Sequence, residues 1–177
     1  MNARLSVGNF SSALAAAALR CHLEIVQLLL DSGADANRKV NTGKYGSALA
    51  AAAAGGNRCI VQLLVSSGAD INAEITTGKY GSALAAAASK NRKEIMELLI
   101  NSGAEVNAKL ATGKYGSALV AAAYKGRTAN VQLLLDAGAA VNTRYEVGEN
   151  CSALFAASQR GHQEIVGMLI EFGAQAE

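Results

Sequence analysis

Tyr45-Gly46-Ser47-Ala48-Leu49 recurs as Tyr80-Gly81-Ser82-Ala83-Leu84 and as Tyr115-Gly116-Ser117-Ala118-Leu119, each copy 35 residues after the last. One step back along the chain stands Phe10-Ser11-Ser12-Ala13-Leu14. One step forward stands Asn150-Cys151-Ser152-Ala153-Leu154. The same frame carries an Ile/Val-Leu-Leu segment in each block and places Gly33, Gly68, Gly103, Gly138 and Gly173 in register. Five copies at one period, without insertion or deletion, leave no room for chance: the intervening residues vary while the frame holds. A fixed period of roughly 20–50 residues marks an array of small units rather than a closed globule.

Each unit reads as helix, turn, helix and extended loop. Ser47 is a natural N-cap, its hydroxyl accepting from backbone amides one turn in, and Ser12, Ser82, Ser117 and Ser152 repeat it. Ala48 to Ala54 follow with high helix propensity, and Gly55-Gly56 end that short helix. A second helix is predicted over Ile60, Val61, Leu63 and Leu64, whose spacing turns one apolar stripe inward. Gly68 sits just past its last turn, where positive φ closes a helix. Asp70 to Lys79 hold Ile71, Ile75, Thr76, Thr77 and Gly78, the pattern of a protruding, hairpin-like finger turned by glycine. Two short helices cannot bury both faces alone, so each unit must use its neighbours as core. The expected architecture is an all-α repeat solenoid, with first helices and fingers on the inner side and Leu-rich second helices outside.

Composition agrees with a thin, close-packed core. The chain has 177 residues, enough for one domain, of which 51% are hydrophobic and 17% charged, which excludes a disordered polar tail. Aromatic residues are only 5%, so helices must meet on small side chains. A net charge of +2 is too small to imply nucleic acid or an anionic membrane. The run Ala48 to Ala54 falls far short of the roughly 20 residues of a membrane helix, and no signal-peptide stretch follows Met1. Cys21, Cys59 and Cys151 lie far apart without metal-ligand spacing. They read as reduced thiols of a cytoplasmic protein, with the nucleus also open.

The residues resemble ankyrin repeats. The family's Thr-Pro-Leu-His-x-Ala-Ala element stands here as Ser47-Ala48-Leu49-Ala50-Ala51-Ala52-Ala53, and its Gly-His turn as Gly161-His162 and partly as Cys21-His22. Its Val-x-Leu-Leu-Leu-x-x-Gly-Ala-Asp-Val-Asn element is nearly intact over Val26 to Asn37 and Val61 to Asn72. The period is 35 rather than the family's usual length, the extra residues falling in the finger between Asn72 and Ser82, and alanine replaces the proline after each cap. The long finger with Gly-Lys-Tyr-Gly is similar to the arrays of large fungal multidomain receptors of the incompatibility, nucleotide-sensing kind. The resemblance implies a non-catalytic scaffold for protein–protein contacts.

In this frame residues 1–177 form one array, with units at 10–44, 45–79, 80–114, 115–149 and 150–177, and with 1–9 as the finger of a missing preceding unit. The expectation is an excised or engineered piece of a longer array. It is monomeric, with uncapped ends that can stack end to end.

No catalytic constellation, metal site or cofactor site assembles, so the chain is not expected to be an enzyme. His22 and His162 occupy the inter-helix turn, where imidazole bonds a neighbouring loop. Cys21 and Cys59 read as small-residue packing, Cys59 within an apolar stripe. The Gly-Lys-Tyr-Gly glycines lack the spacing that cradles phosphate.

Partner contacts are sought where units differ. The end of the first helix gives Arg20, Gly55, Lys90, Lys125 and Arg160, read either as cations suited to a helix C-terminus or as a site for an acidic or phosphorylated protein segment. Beside it lie Leu19, Ala54, Ser89, Tyr124 and Gln159, with Tyr124 as the best anchor. The finger row Leu5, Val40, Ile75, Leu110 and Tyr145 is apolar throughout, either packing between fingers or forming an exposed stripe. Phe10, Tyr45, Tyr80 and Tyr115 read as a structural ladder. Lys44, Lys79 and Lys114 read as solvated, and Asn37, Asn72, Asn107 and Asn142 as bonds to the finger backbone. The candidate contact residues are therefore Leu19, Arg20, Lys90, Tyr124, Lys125, Arg160, Val40, Ile75, Leu110 and Tyr145. The competing readings are a structural spacer or sensor array without a dedicated partner, kept uniform by recombination, and an engineered repeat scaffold.

Overall fold

The computed structural model describes residues 12–39, 44–144 and 152–175. The finger expected over 1–9, and Val40, Tyr145 and Cys151, lie outside the described residues. Among the described residues the chain forms ten helices in five pairs: α1 Ala13–Leu19 with α2 Leu23–Asp31, α3 Ala48–Gly55 with α4 Arg58–Ser66, α5 Ala83–Ser89 with α6 Lys93–Asn101, α7 Ala118–Tyr124 with α8 Thr128–Asp136, and α9 Ala153–Gln159 with α10 Gln163–Glu171. No strand occurs among them. α1, α3, α5, α7 and α9 pack side by side as one layer, α2, α4, α6, α8 and α10 as the second, and each pair closes on itself. This is an all-α solenoid.

Local chemistry starts each first-layer helix. The amides of Ala15, Ala50, Ala85, Val120 and Phe155 donate to the hydroxyls of Ser12, Ser47, Ser82, Ser117 and Ser152, and each Ser has extended backbone. Such a cap is worth about 1 kcal/mol. Packing then decides what propensity alone cannot, since helices of this length are marginal in isolation. Every alanine of α3 is buried, because α1, α5 and α4 cover it on three sides. The second layer keeps a one-sided pattern: on α4, Ile60, Val61 and Leu64 are buried while Gln62 and Ser66 are exposed.

Two sets of side chains lock each pair to the next. Asn37 donates from Nδ2 to the Gly68 carbonyl at 2.8 Å and accepts at Oδ1 from the Asp70 amide at 2.7 Å. Asn72 repeats this toward Gly103 and Glu105, Asn107 toward Gly138 and Ala140, and Asn142 toward Gly173 and Gln175. Each asparagine therefore bonds two groups of the following pair, the helix-end turn carbonyl and the first amide of the finger, so the expected finger-backbone bond is made to the neighbouring unit. The second set leaves the turn between paired helices. Arg92 Nε donates to the Ala54 carbonyl at 3.4 Å, and His162 Nε2 lies 3.3 Å from the Tyr124 carbonyl. His162 thus makes the expected bond. His22 is exposed and makes no cap bond.

Among the described residues, two fingers close by the Ile75 amide on the Gly81 carbonyl and the Leu110 amide on the Gly116 carbonyl. They stack through the Lys79 amide on the Lys44 carbonyl at 2.9 Å, the Lys114 amide on the Lys79 carbonyl at 3.0 Å, and the Thr112 hydroxyl on the Ile75 carbonyl. Gly78 and Gly81 make this approach feasible. Both have positive φ, and a Cβ at Gly78 would lie 2.7 Å from the Lys44 carbonyl oxygen. At Gly81 it would lie 2.8 Å from the Thr112 oxygen. The Gly-Lys-Tyr-Gly motif is therefore a stacking device.

Cys59 is exposed on α4, one position away from the buried stripe, and Cys21 is an exposed turn residue with φ of 61°. Neither packs as a small core residue. Both thiols are free.

Candidate functional site

The ends of the first-layer helices place a row of cations. Arg20, Lys90, Lys125 and Arg160 are the C-cap residues of α1, α5, α7 and α9, while α3 ends on Gly56 in the left-handed conformation. A cation at this position is favoured by the partial negative charge of the last carbonyls. The finger residues Lys44, Lys79 and Lys114 form a second row, fixed by the rung-to-rung backbone bonds described above.

A tyrosine ladder lies with these rows. Tyr45 and Tyr80 stack with centroids 5.6 Å apart, and Tyr80 and Tyr115 at 6.4 Å. Tyr124, from α7, tilts onto Tyr115 at 5.6 Å. The ladder is structural in its middle, where Tyr80 and Tyr115 are 4% and 1% exposed. Its edge faces cations. Arg160 Cζ stands 4.7 Å from the Tyr124 centroid, Lys114 Nζ 4.8 Å and Lys125 Nζ 5.7 Å, and Lys79 Nζ lies 5.9 Å from the Tyr80 centroid. Ring quadrupoles hold such cations with about 0.5–1 kcal/mol each at exposed sites. They do not neutralise them.

Electrostatics show how crowded the patch is. Partial burial lowers the pKa of Lys79, and the like charges of Lys125, Lys114, Lys90 and Lys44 lower it further. Burial raises the phenol of Tyr45, Tyr80 adds to the rise, and Lys90 opposes it. Burial likewise raises Tyr80, against a hydrogen bond with Ser89. Among the described residues no carboxylate forms an ion pair with Lys44, Lys79, Lys90, Lys125 or Arg160. At Lys79 an incoming anion would offset that like-charge repulsion.

Of the candidates read from the sequence, the structure gathers Tyr124, Lys125 and Arg160 at one ring, with Lys90 close enough to Tyr45 and Lys79 to act on their ionisation. Tyr124 is half-buried and serves as a platform for cations rather than as an open anchor. Leu19 and Arg20 end α1, which α3 separates from α5. Leu19 packs against the core, and Arg20 is exposed. Ile75 and Leu110 are 5% and 7% exposed, so at these two residues the packing reading of the finger row holds over the exposed stripe. Lys44, Lys79 and Lys114 were not among the candidates, although their 35-residue spacing beside the tyrosines was a readable signal. Crevices beneath successive fingers, one lined by Asn37, Ser47, Leu49 and Asp70 and the next by Asn72, Ser82, Leu84 and Glu105, repeat in register. They belong to the frame and not to one ligand. Among the described residues no three His, Cys, Asp or Glu side chains group to hold a metal ion, and no helix is long and apolar enough to cross a membrane.

A family model described as ankyrin repeats (3 copies) matches residues 3–75, 49–145 and 84–177, which together take in almost the whole chain. No curated protein matches it. The family match does not extend to the likeness with fungal receptor arrays.

Proposed function

The chain belongs to the ankyrin-repeat family, and on that premise we propose that it is a non-catalytic scaffold that binds a protein partner through its finger-and-first-helix surface. Members of the family generally bind proteins and typically lack catalysis. The observation that carries the reading here is the meeting of two cation rows over the tyrosine ladder. Six cations (Lys44, Lys79, Lys90, Lys114, Lys125 and Arg160) share this patch in a chain whose net charge is only +2. Their complement is an acidic protein segment. Stacking fixes the fingers before any partner arrives, so little conformational entropy is lost on docking.

Charge reversal by Lys90→Glu together with Lys125→Glu tests the site. Both side chains lie at helix ends outside the core, so helical circular dichroism should hold while affinity for an acidic polypeptide falls roughly tenfold or more. Unchanged affinity removes the basic row from the site. The spacer reading rests on the likeness of the three central units, which accounts for the in-register Lys44, Lys79 and Lys114 but not for Lys90, Lys125 and Arg160, set in stretches that differ between units.

The exposed, free thiols of Cys21 and Cys59 support a reducing setting, cytoplasmic or nuclear. We take the solution state to be a monomer. Leu23, Ile25 and Leu28 near one end, and Phe155, Ile170 and Phe172 near the other, are exposed apolar side chains on which further units or a second copy could stack. Light scattering at high concentration checks this point.

A further inference from the structure

The patch has a pitch as well as a charge. Lys44, Lys79 and Lys114 occupy consecutive rungs, joined by one backbone bond of 2.9 Å and one of 3.0 Å. The tyrosines that follow them in sequence step by 5.6 and 6.4 Å. An extended chain rises about 3.2–3.4 Å per residue, so two residues cover about one rung. One residue is too short a step, and three overshoot.

The convergence of the two rows bears on the occupant's backbone. Lys114 from the finger row and Lys125 and Arg160 from the helix-end row stand over the same Tyr124 ring, at 4.8, 5.7 and 4.7 Å. Because both rows converge on one ring, a single extended strand laid along them can meet both at once. The helix-end cations follow a wider pitch, about 8–10 Å between helix axes, so the finger lysines set the register and Lys90 and Lys125 flank it. Single-stranded nucleic acid would also bring anions to a basic groove, but it needs open aromatic faces on which bases stack. Here Tyr80 and Tyr115 are covered by their neighbours, at 4% and 1% exposure.

We propose that the occupant of this groove is an extended protein segment with acidic side chains at alternate positions, i, i+2 and i+4, seated over Lys44, Lys79 and Lys114. The proposal rests on the reading of this surface as a protein-binding site and adds the spacing of the partner's charges. Alternate side chains of a strand point to one side. The acidic ones face the cations, and the intervening ones face away and are left unspecified by the groove.

Fluorescence anisotropy with labelled peptides of equal length and equal charge tests the spacing. Each carries three Glu: one places them at alternate positions among Ser, one groups them in a single block, one spaces them at every third position, and one is a helix-forming sequence with them at i, i+4 and i+8. The alternating peptide should bind at least about tenfold more tightly than each of the others, and Lys79→Glu should remove that preference. Circular dichroism verifies that the variant stays folded, Lys79 being an exposed finger side chain. Equal affinity for all four peptides, with loss of all four in the Lys90→Glu, Lys125→Glu variant, overturns the spacing and leaves the binding surface standing. Preference for the helical peptide likewise overturns it. Absence of binding by every peptide, or binding untouched by any of the charge reversals, overturns both. Tighter binding of a thymidine oligonucleotide than of the alternating peptide assigns the groove to nucleic acid and overturns the proposal.

Discussion

Asn130→Ile should stabilise the array. Asn130 stands in the frame position that Ile25, Ile60, Ile95 and Ile165 occupy in the other helix pairs. It is 0% exposed, and its Nδ2 donates to the Ala88 carbonyl at 2.9 Å. Its Oδ1 is buried without a hydrogen-bond partner. Removing an unmet buried acceptor recovers about 1–3 kcal/mol, against about 1 kcal/mol for the bond lost. The Ala88 carbonyl is not orphaned, since the amides of Lys90 and Asn91 also reach it. Burying the isoleucine side chain adds about 1.5–3 kcal/mol, offset by about 1–3 kcal/mol if the branched chain overfills the site. Overfilling should be small, because Ile60, Ile95 and Ile165 fit the same frame position at 0%, 2% and 1% exposure. The net expectation is a gain of about 1–3 kcal/mol, or roughly 3–10 °C in Tm for a chain of this size. Urea and thermal unfolding followed by circular dichroism measure it. Ile95→Asn is the mirror experiment and should lose about 2–4 kcal/mol. An Asn130→Ile variant less stable than the parent would refute the reasoning. It would mean that the acceptor is satisfied in the folded protein, or that this interface cannot take the branched chain.

Gly78→Ala should cost about 1–3 kcal/mol through positive φ and the approach to the Lys44 carbonyl, seen as a lower urea midpoint; an unchanged midpoint would remove the stacking role of the motif. Asn72→Ala deletes two inter-pair bonds, to Gly103 and from Glu105, and should cost about 1–3 kcal/mol, with hydrogen exchange rising first in the turn after α6. Alkaline titration should show Tyr80 and Tyr45 ionising above the ordinary phenol range. Because the unfolded chain loses these protons first, at about pH 10, their contribution is intact below that pH and is lost as pH rises through the folded-state values. Lys79 acts in the opposite sense: its lowered pKa is a penalty at neutral pH, relieved as pH climbs toward the unfolded lysine value, and small because the side chain is exposed. Ultraviolet difference spectra alongside helical circular dichroism check the pair; ordinary ionisation of all tyrosines with no loss of helix would contradict it. Cys21 and Cys59 should both react with a thiol reagent in the folded protein, and protection of either would contradict its exposure.

The period, the serine caps, the alanine-lined first helices and the one-sided second helices were all legible in the amino-acid order, because each depends on residues a few positions apart. Frame arithmetic also pointed to the tyrosine ladder and the cation row at the helix ends. That Asn37, Asn72, Asn107 and Asn142 bond a finger backbone was legible, but not that the finger is the next unit's, since each bond spans 31 or 33 residues. At Ile75 and Leu110 the sequence left packing and an exposed stripe both open, since the choice depends on how closely one finger lies on another. Cys59 shows the same limit on a smaller scale: one position along a helix, about 100° of rotation, separates an exposed thiol from buried Ile60.

Local sequence therefore determined that this chain makes short helical units on a fixed period, because capping, propensity and periodicity act over single turns. Only stacking in three dimensions decided which surface carries the charge. The two lysine and arginine rows lie apart in each unit's sequence, and they meet because the fingers fold back over the helix ends and the backbone bonds between fingers hold them there.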